Sequence, residues 1–169
     1  MEKQNPAEKA GQRNEQDNNG LAGKYLTFKL GGEEFGLEIL KVREIIGLMD
    51  ITPVPRSQPF IKGVINLRGK VIPVIDLRLK LGLDEKEYTD RTCIIVVETV
   101  DDEQTAHVGV VVDSVSEVVN IQGVQIDTTF GLDAAVSSQY ILGMAKTDSG
   151  LKILLDTDAA LDGATSLDS

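Results

Sequence analysis

The amino-acid sequence predicts a mainly β protein in which two tandem closed barrels, each of five short strands, pack over a shared apolar core. Three observations predict this fold. Apolar segments of strand length alternate with turns rich in glycine and proline, and the chain repeats itself once. Its 169 residues can bury one core but leave each repeat too small to be stable alone. Closing each sheet removes the exposed edges that a flat sheet would present.

The repeat is visible in two strong matches. Residues 35–46 match residues 108–119 at a constant offset of 73, and both copies read an apolar residue and glycine, an apolar strand, then Val-x-Glu and two β-branched residues. Residues 60–76 match residues 140–156 at an offset of 80, and both segments pass through a glycine turn into a strand that ends in aspartate. The registered glycines and acids argue against chance similarity between valine-rich strands.

A third, softer match sets residues 25–30 against residues 92–97. The three matches occur in the same order, so we place the first barrel unit in residues 24–88 and the second in residues 89–155. Any exchange of strands between the two units stays open at this level.

The elements of the first unit follow from local pattern. Residues 24–30 alternate, with Leu26, Phe28 and Leu30 on one face, which predicts a half-buried strand that ends at the Gly31-Gly32 hairpin turn. Asp76 is the expected N-cap of a short helix over 77–81, which ends at Gly82. The other elements predicted in this unit are strands over 33–37, 44–48, 62–66 and 71–75 and a helical turn over 38–42.

The second unit repeats this arrangement. Asp156 is expected to cap a turn or short helix near the C-terminus, as Asp76 does in the first unit. The predicted strands are 91–98, 107–112, 116–121, 141–146 and 152–155. Residues 1–23 have no periodic apolar residues, so we expect a disordered tail before a domain over 24–163 and a flexible C-terminus over 164–169.

Composition excludes several functional classes. The formal charge of −10 argues against nucleic acid and anionic lipid as partners. No apolar run approaches the ~20 residues that span a bilayer, and no signal peptide follows Met1, so a cytoplasmic protein is expected. Residues 24–88 carry a net charge of +2 and residues 89–169 a net charge of −11. This asymmetry indicates either surfaces for two different partners or a solubilising second half.

The chain offers little for catalysis. Cys93 is the single cysteine and His107 the single histidine, which excludes an internal disulfide and makes a zinc site or catalytic triad hard to build. A buried, inert thiol and a solvated histidine at a strand start explain the two residues better than a Cys–His nucleophile pair. Asp156 and Asp158 are interpreted as helix-capping residues, not as metal ligands. We therefore predict no enzyme activity, no metal and no cofactor.

One turn differs between the repeats. Asn66-Leu67-Arg68-Gly69 places an arginine at a hairpin tip, where the second unit has Thr147-Asp148-Ser149. The guanidinium of Arg68 suits a partner carboxylate or carbonyl, although an ordinary exposed turn arginine explains it equally well. Glu44 has a counterpart in Glu117, so a structural role common to both units is its first interpretation. The sequence leaves open whether Arg68 and Glu44 meet.

These segments resemble the CheW family of chemotaxis coupling proteins. The resemblance covers residues 24–161 and is most specific in INLRGKVIPVID, residues 65–76. It implies two five-stranded SH3-like barrels around a common core and no catalytic activity. It also implies an adaptor, monomeric when free, that bridges transmembrane chemoreceptors to the histidine autokinase CheA in membrane-associated arrays. The chain starts with Met1 and has eight residues after 161, so a free-standing coupler is favoured over a module of a longer protein.

The resemblance also implies a receptor site. Family members bind the cytoplasmic tip of the receptor's helical hairpin at the groove between the barrels, and the kinase is expected to pack barrel against barrel through residues that we leave unassigned. The receptor-contact positions carried over by motif are Val42, Glu44, Gly63 and Arg68, with Asn66 and Leu67 as neighbours. Gly63 is expected to matter because a side chain there would hold a partner helix away. The alternatives are a CheW-like module of another receptor–kinase pathway, such as surface motility, and a small-molecule-binding barrel that uses Cys93 or His107.

Overall fold

The computed structural model describes residues 20–101, 103–128 and 138–164. Its strands form two sheets and are joined by 3₁₀ turns and two one-turn helices. The strands are β1 Gly23–Leu30, β2 Glu33–Glu38, β3 Val42–Gly47, β4 Ile61–Leu67, β5 Lys70–Asp76, β6 Cys93–Asp101, β7 Gln104–Val112, β8 Ser114–Ile121, β9 Ile126–Asp127, β10 Ile141–Thr147 and β11 Gly150–Leu155. The helices are Leu77–Lys80 and Thr157–Ala160.

The two repeats exchange a hairpin. One sheet has the strand order β8-β1-β2-β11-β10-β9, and the other has the order β3-β6-β7-β5-β4. The β1–β2 hairpin of the first repeat thus lies among strands of the second, and the β6–β7 hairpin of the second lies among strands of the first. The ranges 24–88 and 89–155 therefore delimit the repeats and not the sheets, which answers the question of strand exchange that the sequence left open.

Each sheet curls on itself. The chain segment that follows the strand at one edge pairs with the strand at the opposite edge. After β3, the first strand of the five-stranded sheet, Thr52 forms a bridge with Val64 of β4, the last strand, through two backbone hydrogen bonds of 2.9 Å. After β8, the chain forms β9, which pairs antiparallel with β10 in the six-stranded sheet. This closure confirms the mainly β, barrel-like fold expected from the repeat.

The apolar side chains form three clusters. The largest takes side chains from strands of both sheets, among them Phe28, Phe35 and Ile95, so it is the shared core. A second cluster around Ile65 and Val74 belongs to the five-stranded sheet, and a third around Tyr25 belongs to the six-stranded sheet. Both faces of the central strands are therefore covered.

This double covering corrects the prediction for the first strand. Tyr25 and Thr27, expected on the solvent face of a half-buried strand, are as buried as Leu26 and Phe28 on the other face. Tyr25 packs in the smaller core of its own sheet, while Leu26 and Phe28 pack in the shared core. Alternation identified the strand but could not show that its second face was covered as well.

Strand pairing also corrects the softest of the three repeat matches. Phe28 pairs with Phe35 of β2, and Val97 pairs with Val108 of β7. Since residues 35 and 108 are equivalent, Phe28 is equivalent to Val97, an offset of 69 that differs by two residues from the sequence match. A shift of two residues keeps every side chain on the same face, so the apolar pattern could not detect it.

The helix caps predicted at Asp76 and Asp156 are confirmed, whereas Asp158 does not cap the helix, because its carboxylate accepts hydrogen bonds from the Thr99 hydroxyl at 2.8 Å and the Val100 N–H at 3.2 Å. The Asp76 carboxylate accepts a hydrogen bond from the Arg78 backbone N–H at 3.0 Å, and the Asp156 carboxylate accepts one from the Ala159 N–H at 3.2 Å. The turn predicted over 38–42 is present as the 3₁₀ turn Ile39–Lys41. The short helices thus begin where the sequence places them.

The buried guanidinium of Arg78 joins the two sheets. Its Nε donates to Oδ1 of Asp113 at 2.9 Å, its Nη2 donates to Asp113 Oδ2, and its Nη1 donates to the Asp84 carbonyl at 3.0 Å. Asp113 lies between β7 and β8, and it also accepts a hydrogen bond of 3.0 Å from the Gly31 N–H in the β1–β2 turn. Arg78 therefore ties the end of β5 in one sheet to a hairpin of the other.

Residues at the two predicted tail boundaries belong to the fold. Leu21 packs against the core around Tyr25, whose hydroxyl donates to the Leu21 carbonyl at 2.5 Å. Ala164 is buried in the shared core. Residues 20–23 and Ala164 thus correct the tail predictions, while residues 1–19 and 165–169 lie outside the described residues.

Candidate functional site

The β4–β5 hairpin ends in a two-residue turn that presents Arg68. Leu67 pairs with Lys70, and both residues between them have positive φ, 53° at Arg68 and 88° at Gly69. That combination is typical of a type I′ hairpin turn. The Asn66 side chain accepts a hydrogen bond from the Gly69 N–H at 2.9 Å. Asn66 therefore stabilises the turn that carries Arg68.

Arg68 and Glu44 form an ion pair in the structure. The Arg68 guanidinium donates to Oε1 of Glu44 on β3, so the curl of the five-stranded sheet joins two residues that the sequence singled out separately. The Arg68 side chain is 71% exposed and that of Glu44 31% exposed. An ion pair with such exposure adds little to stability. It instead orients the guanidinium, and most of the Arg68 side chain stays exposed.

The pair lies at the rim of a depression of about 420 Å³. Its apolar lining residues are Leu67, Ile72 and Val96, and we call them its floor because Ile72 and Val96 are buried. The remaining lining residues are Arg43, Glu44, Arg68, Lys70 and His107. The depression thus combines an apolar floor with a rim of several basic groups, although the chain as a whole carries a charge of −10.

A second ion pair lies beside the first. Arg43 of β3 donates to Glu98 of β6, and Nε2 of His107 lies 3.6 Å from the other carboxylate oxygen of Glu98. The hydrogen bond from Arg43 lowers the pKa of Glu98. Sequence reasoning missed Arg43 and Glu98, and no local signal could have joined residues 55 positions apart.

Two predicted site residues lie elsewhere. Val42 begins β3 and packs against the shared core. Gly63 is buried in β4 with φ 146°, and a Cβ on it would lie 2.1 Å from the Thr52 carbonyl oxygen. The expectation that Gly63 leaves room for a partner helix is therefore wrong, because its open side is filled by the chain's own backbone. The described lining of the depression includes neither residue.

The equivalent turn of the second repeat has different chemistry. Thr147 pairs with Gly150, and the Thr147 hydroxyl donates to the Gly150 carbonyl at 2.7 Å. Glu117, the counterpart of Glu44, bonds through its backbone to the Thr27 hydroxyl. Within the part of the chain that the structure describes, its carboxylate has no ion-pair partner. Among the described residues, the arginine–glutamate ion pair therefore occurs in the first repeat, and the Glu44 and Glu117 carboxylates share no common contact.

The structure separates the two candidate catalytic residues. Cys93 pairs with Val112 and His107 pairs with Glu98, five residue pairs apart along the β6–β7 ladder, a separation of about 17 Å. Burial raises the pKa of the Cys93 thiol, which opposes formation of a nucleophilic thiolate. His107 lies within β7 rather than at its start and is half-buried beside Glu98. A Cys–His nucleophile pair is therefore excluded.

Residues 20–101, 103–128 and 138–164 contain no group of three or more histidine, cysteine, aspartate or glutamate side chains arranged to hold a metal ion. Among the same residues, no helix has the length and apolar character needed to cross a membrane.

Comparison with known proteins connects this geometry to a family. A family model described as the CheW-like domain matches residues 24–165. The chemotaxis protein CheW of Klebsiella aerogenes is 36% identical over 138 residues, which make up 82% of this chain and 81% of that protein. The chemotaxis protein CheW of Thermotoga maritima is 37% identical over 142 residues, or 84% of this chain and 89% of that protein.

Comparison with a solved structure indicates the same family. The crystal structure of the scaffolding protein TtCheW from Thermoanaerobacter tengcongensis superposes with a TM-score of 0.74 at 33% sequence identity, over 83% of this chain and 93% of that chain. The matched region contains the repeat, both sheets and the Arg68 turn. This chain belongs to the CheW-like family.

Proposed function

We propose that this protein is a non-catalytic adaptor that couples transmembrane chemoreceptors to the histidine autokinase CheA. The observation that carries the proposal is the type I′ turn of the first repeat, which holds Arg68 at the surface in an ion pair with Glu44. The second repeat has Asp148 and Ser149 in the equivalent turn. A turn that only had to close a hairpin would not require this difference in charge.

The geometry of the turn suits the tip of a receptor's helical hairpin. A helix–helix turn exposes main-chain carbonyls and polar side chains, which the planar guanidinium of Arg68 can meet with several parallel donors. Leu67 and the apolar floor beside it would take apolar side chains of the same tip. We assign Glu44, Leu67 and Arg68 to direct contact, and Asn66 to support of the turn. Val42 and Gly63 would act through the positions of β3 and β4.

The kinase would bind at a different surface. A kinase domain of the same fold can pack barrel against barrel, and the exchanged hairpins give this chain two similar surfaces for such packing. The adaptor would act in the cytoplasm, as a monomer when free, and would be recruited to receptor arrays at the membrane through these two contacts.

The test measures both contacts. The full-length protein is titrated against a CheA kinase from the same cell, and receptor-dependent autophosphorylation is then assayed with the wild type and with Arg68→Glu. We expect micromolar or tighter kinase binding by both proteins, and at least a tenfold loss of receptor-dependent stimulation by Arg68→Glu, since about 1.4 kcal/mol of lost binding has that effect.

The matched control is Asp148→Arg, which reverses the charge at the equivalent turn of the second repeat. It should leave both kinase binding and receptor-dependent stimulation unchanged. Normal stimulation by Arg68→Glu would overturn the site, and failure of the wild type to bind a well-folded kinase would overturn the adaptor function itself.

A further inference from the structure

Two neighbouring strands of the five-stranded sheet diverge before they pair. β5 and β7 run parallel and pair only from Val74 and Gly109 onward. Residues 70–73 of β5 and residues 104–108 of β7 precede this pairing, and the two segments bound a groove of about 500 Å³. We call this groove the β5–β7 notch. Its lining residues are Lys70, Val71, Ile72, Pro73, Thr105, Ala106 and His107.

The notch exposes free strand edges. Residues 104–108 pair with β6 on one side, through the register that continues to Asp101 and Gln104. On the side that faces β5, no ladder partner of these residues occurs within 20–101, 103–128 and 138–164. Residues 70–73 similarly pair with β4 alone. Along this five-residue edge, about 17 Å long, the alternate backbone donors and acceptors that point away from β6 form a template for another strand.

The second repeat shows the same place closed. β2 and β11 are the counterparts of β7 and β5, and β2 extends only two residues before its first pairing with β11, at Phe35. There, the buried amine of Lys152 forms an ion pair with Glu34 and bridges the two strands. Their equivalents in the first repeat are Ile72 and His107, which form no such bridge. Among the described residues, the notch thus belongs to the first repeat, because Lys152 and Glu34 bridge the equivalent strands of the second.

The charges of the residues that line the β5–β7 notch favour one kind of ligand. Lys70 and His107 are the ionisable residues among the described residues that line the notch, and none of these described residues is a carboxylate. Lys70 has no ion-pair partner in the described part of the chain, and the notch continues into the depression beside Arg68. Val71 is 66% exposed at the notch. A strand with acidic side chains therefore complements both the edge and its charge.

We propose that the β5–β7 notch binds an extended acidic peptide segment of a partner protein by strand addition to β7. Main-chain hydrogen bonds to residues 104–108 supply affinity, and acidic side chains meet Lys70 and the neighbouring basic rim. A helix cannot make this contact, because its main-chain donors are already used internally. The inference goes beyond receptor–kinase coupling, and its test needs neither receptor nor kinase.

The test uses the full-length protein and a capped seven-residue peptide that alternates threonine and glutamate. Amide hydrogen exchange is measured with and without the peptide. At a peptide concentration ten times its Kd, alternate amides within 104–108 should exchange about tenfold more slowly. A peptide with alternate amides N-methylated should give no protection, because it lacks the donors for the ladder. A peptide with lysine in place of glutamate should bind at least tenfold more weakly.

Matched variants locate the site. Val71→Glu places a like charge against the peptide and should weaken binding at least tenfold, while Leu151→Glu, the same change at the equivalent position of the second repeat, should leave it unchanged. Lys70→Glu, at the exposed start of β5, is the second variant and should behave as Val71→Glu does. Equal thermal midpoints of the variants would show that the fold is intact.

Three results with the peptide would overturn the proposal. They are absence of protection at millimolar peptide, equal binding of the N-methylated peptide, and unchanged affinity of both Val71→Glu and Lys70→Glu. Protection of residues 104–108 that rises with protein concentration in the absence of peptide would also overturn it, because a second copy of the chain would then be the occupant.

Discussion

At the scale of single residues, Gly63 holds two edges of a sheet together. Its φ is 146°, and a Cβ at this position would lie only 2.1 Å from the Thr52 carbonyl oxygen, so there is no room for a side chain. Gly63→Ala should therefore break the two hydrogen bonds between Thr52 and Val64 and lower the free energy of unfolding by about 2–4 kcal/mol. Urea denaturation measures this loss.

The control for this change is Gly47→Ala. Gly47 lies on β3 without positive φ and with no atom within 4 Å of its Cβ position, so alanine should cost less than about 0.5 kcal/mol. If Gly63→Ala kept full stability and lost only receptor coupling, Gly63 would be a contact residue and its packing role would be wrong.

The sequence indicates that position 63 needs glycine, but it does not reveal the physical reason. The presence of this glycine in both repeats, as Gly63 and Gly143, marks a position that needs glycine, and in both places an added Cβ would meet the chain's own atoms. The sequence could not tell a backbone neighbour from a partner helix. It likewise singled out Arg68 and Glu44 one at a time, because contact between them depends on how the sheet curls and not on local pattern.

At the scale of elements, the ion pair between the buried Arg78 and the half-buried Asp113 joins the helix Leu77–Lys80 to the β7–β8 link. Burial alone would raise the pKa of Asp113, but hydrogen bonds from Arg78 and the Gly31 N–H, with the nearby Lys86, hold it below its ordinary value. A carboxylate with a lowered folded-state pKa stabilises the fold above its unfolded pKa of about 3.9. That stabilisation is lost as the pH falls through the folded-state pKa.

Asp113→Asn should therefore lower the free energy of unfolding by about 3 kcal/mol at neutral pH, because it leaves the buried guanidinium without its counter-charge. The deficit relative to wild type should shrink below about pH 4. Urea unfolding from pH 7 to pH 3 measures both effects. Glu85→Gln is the control, since the exposed Glu85–Lys62 pair should contribute less than about 1 kcal/mol at any pH. A deficit independent of pH would contradict this account.

The elements themselves were largely predictable from the sequence. Asp76 and Asp156 indicated their helices because a cap is a local interaction, complete within three residues. Burial of Tyr25 and Thr27 was not predictable, since the sheet that covers their face includes strands from the other end of the chain. The Arg78–Asp113 pair was missed for the same reason, as it joins residues 35 positions apart.

At the scale of the whole molecule, hairpin exchange makes each sheet depend on both repeats. Neither repeat can unfold without removing two central strands from the other sheet, and the shared core draws side chains from both. We expect one cooperative thermal transition in calorimetry, with a van't Hoff enthalpy within about 10% of the calorimetric enthalpy. Two resolved transitions, one for each repeat, would contradict the exchange.

The repeat was visible in the sequence, but the exchange was not. A hairpin presents the same apolar faces whether it packs with its own repeat or with the other. The apolar pattern of the sequence is therefore the same with and without hairpin exchange. The two arrangements are distinguished by the strand pairs that join different repeats, which are β1–β8, β2–β11, β3–β6 and β5–β7.

The exchange of hairpins also indicates a simpler ancestor of this fold, a homodimer of one repeat. Two identical copies of one repeat, each lending its first hairpin to the other, would complete both sheets about a twofold axis as a domain-swapped homodimer. Duplication and fusion of such a gene would give the present topology, with the segment between Lys80 and Cys93 as the join. After fusion, the two repeats could diverge in sequence. The β4–β5 turn then gained Arg68, and the equivalent β10–β11 turn gained Asp148. A homodimer of identical chains would carry the same residue in both turns.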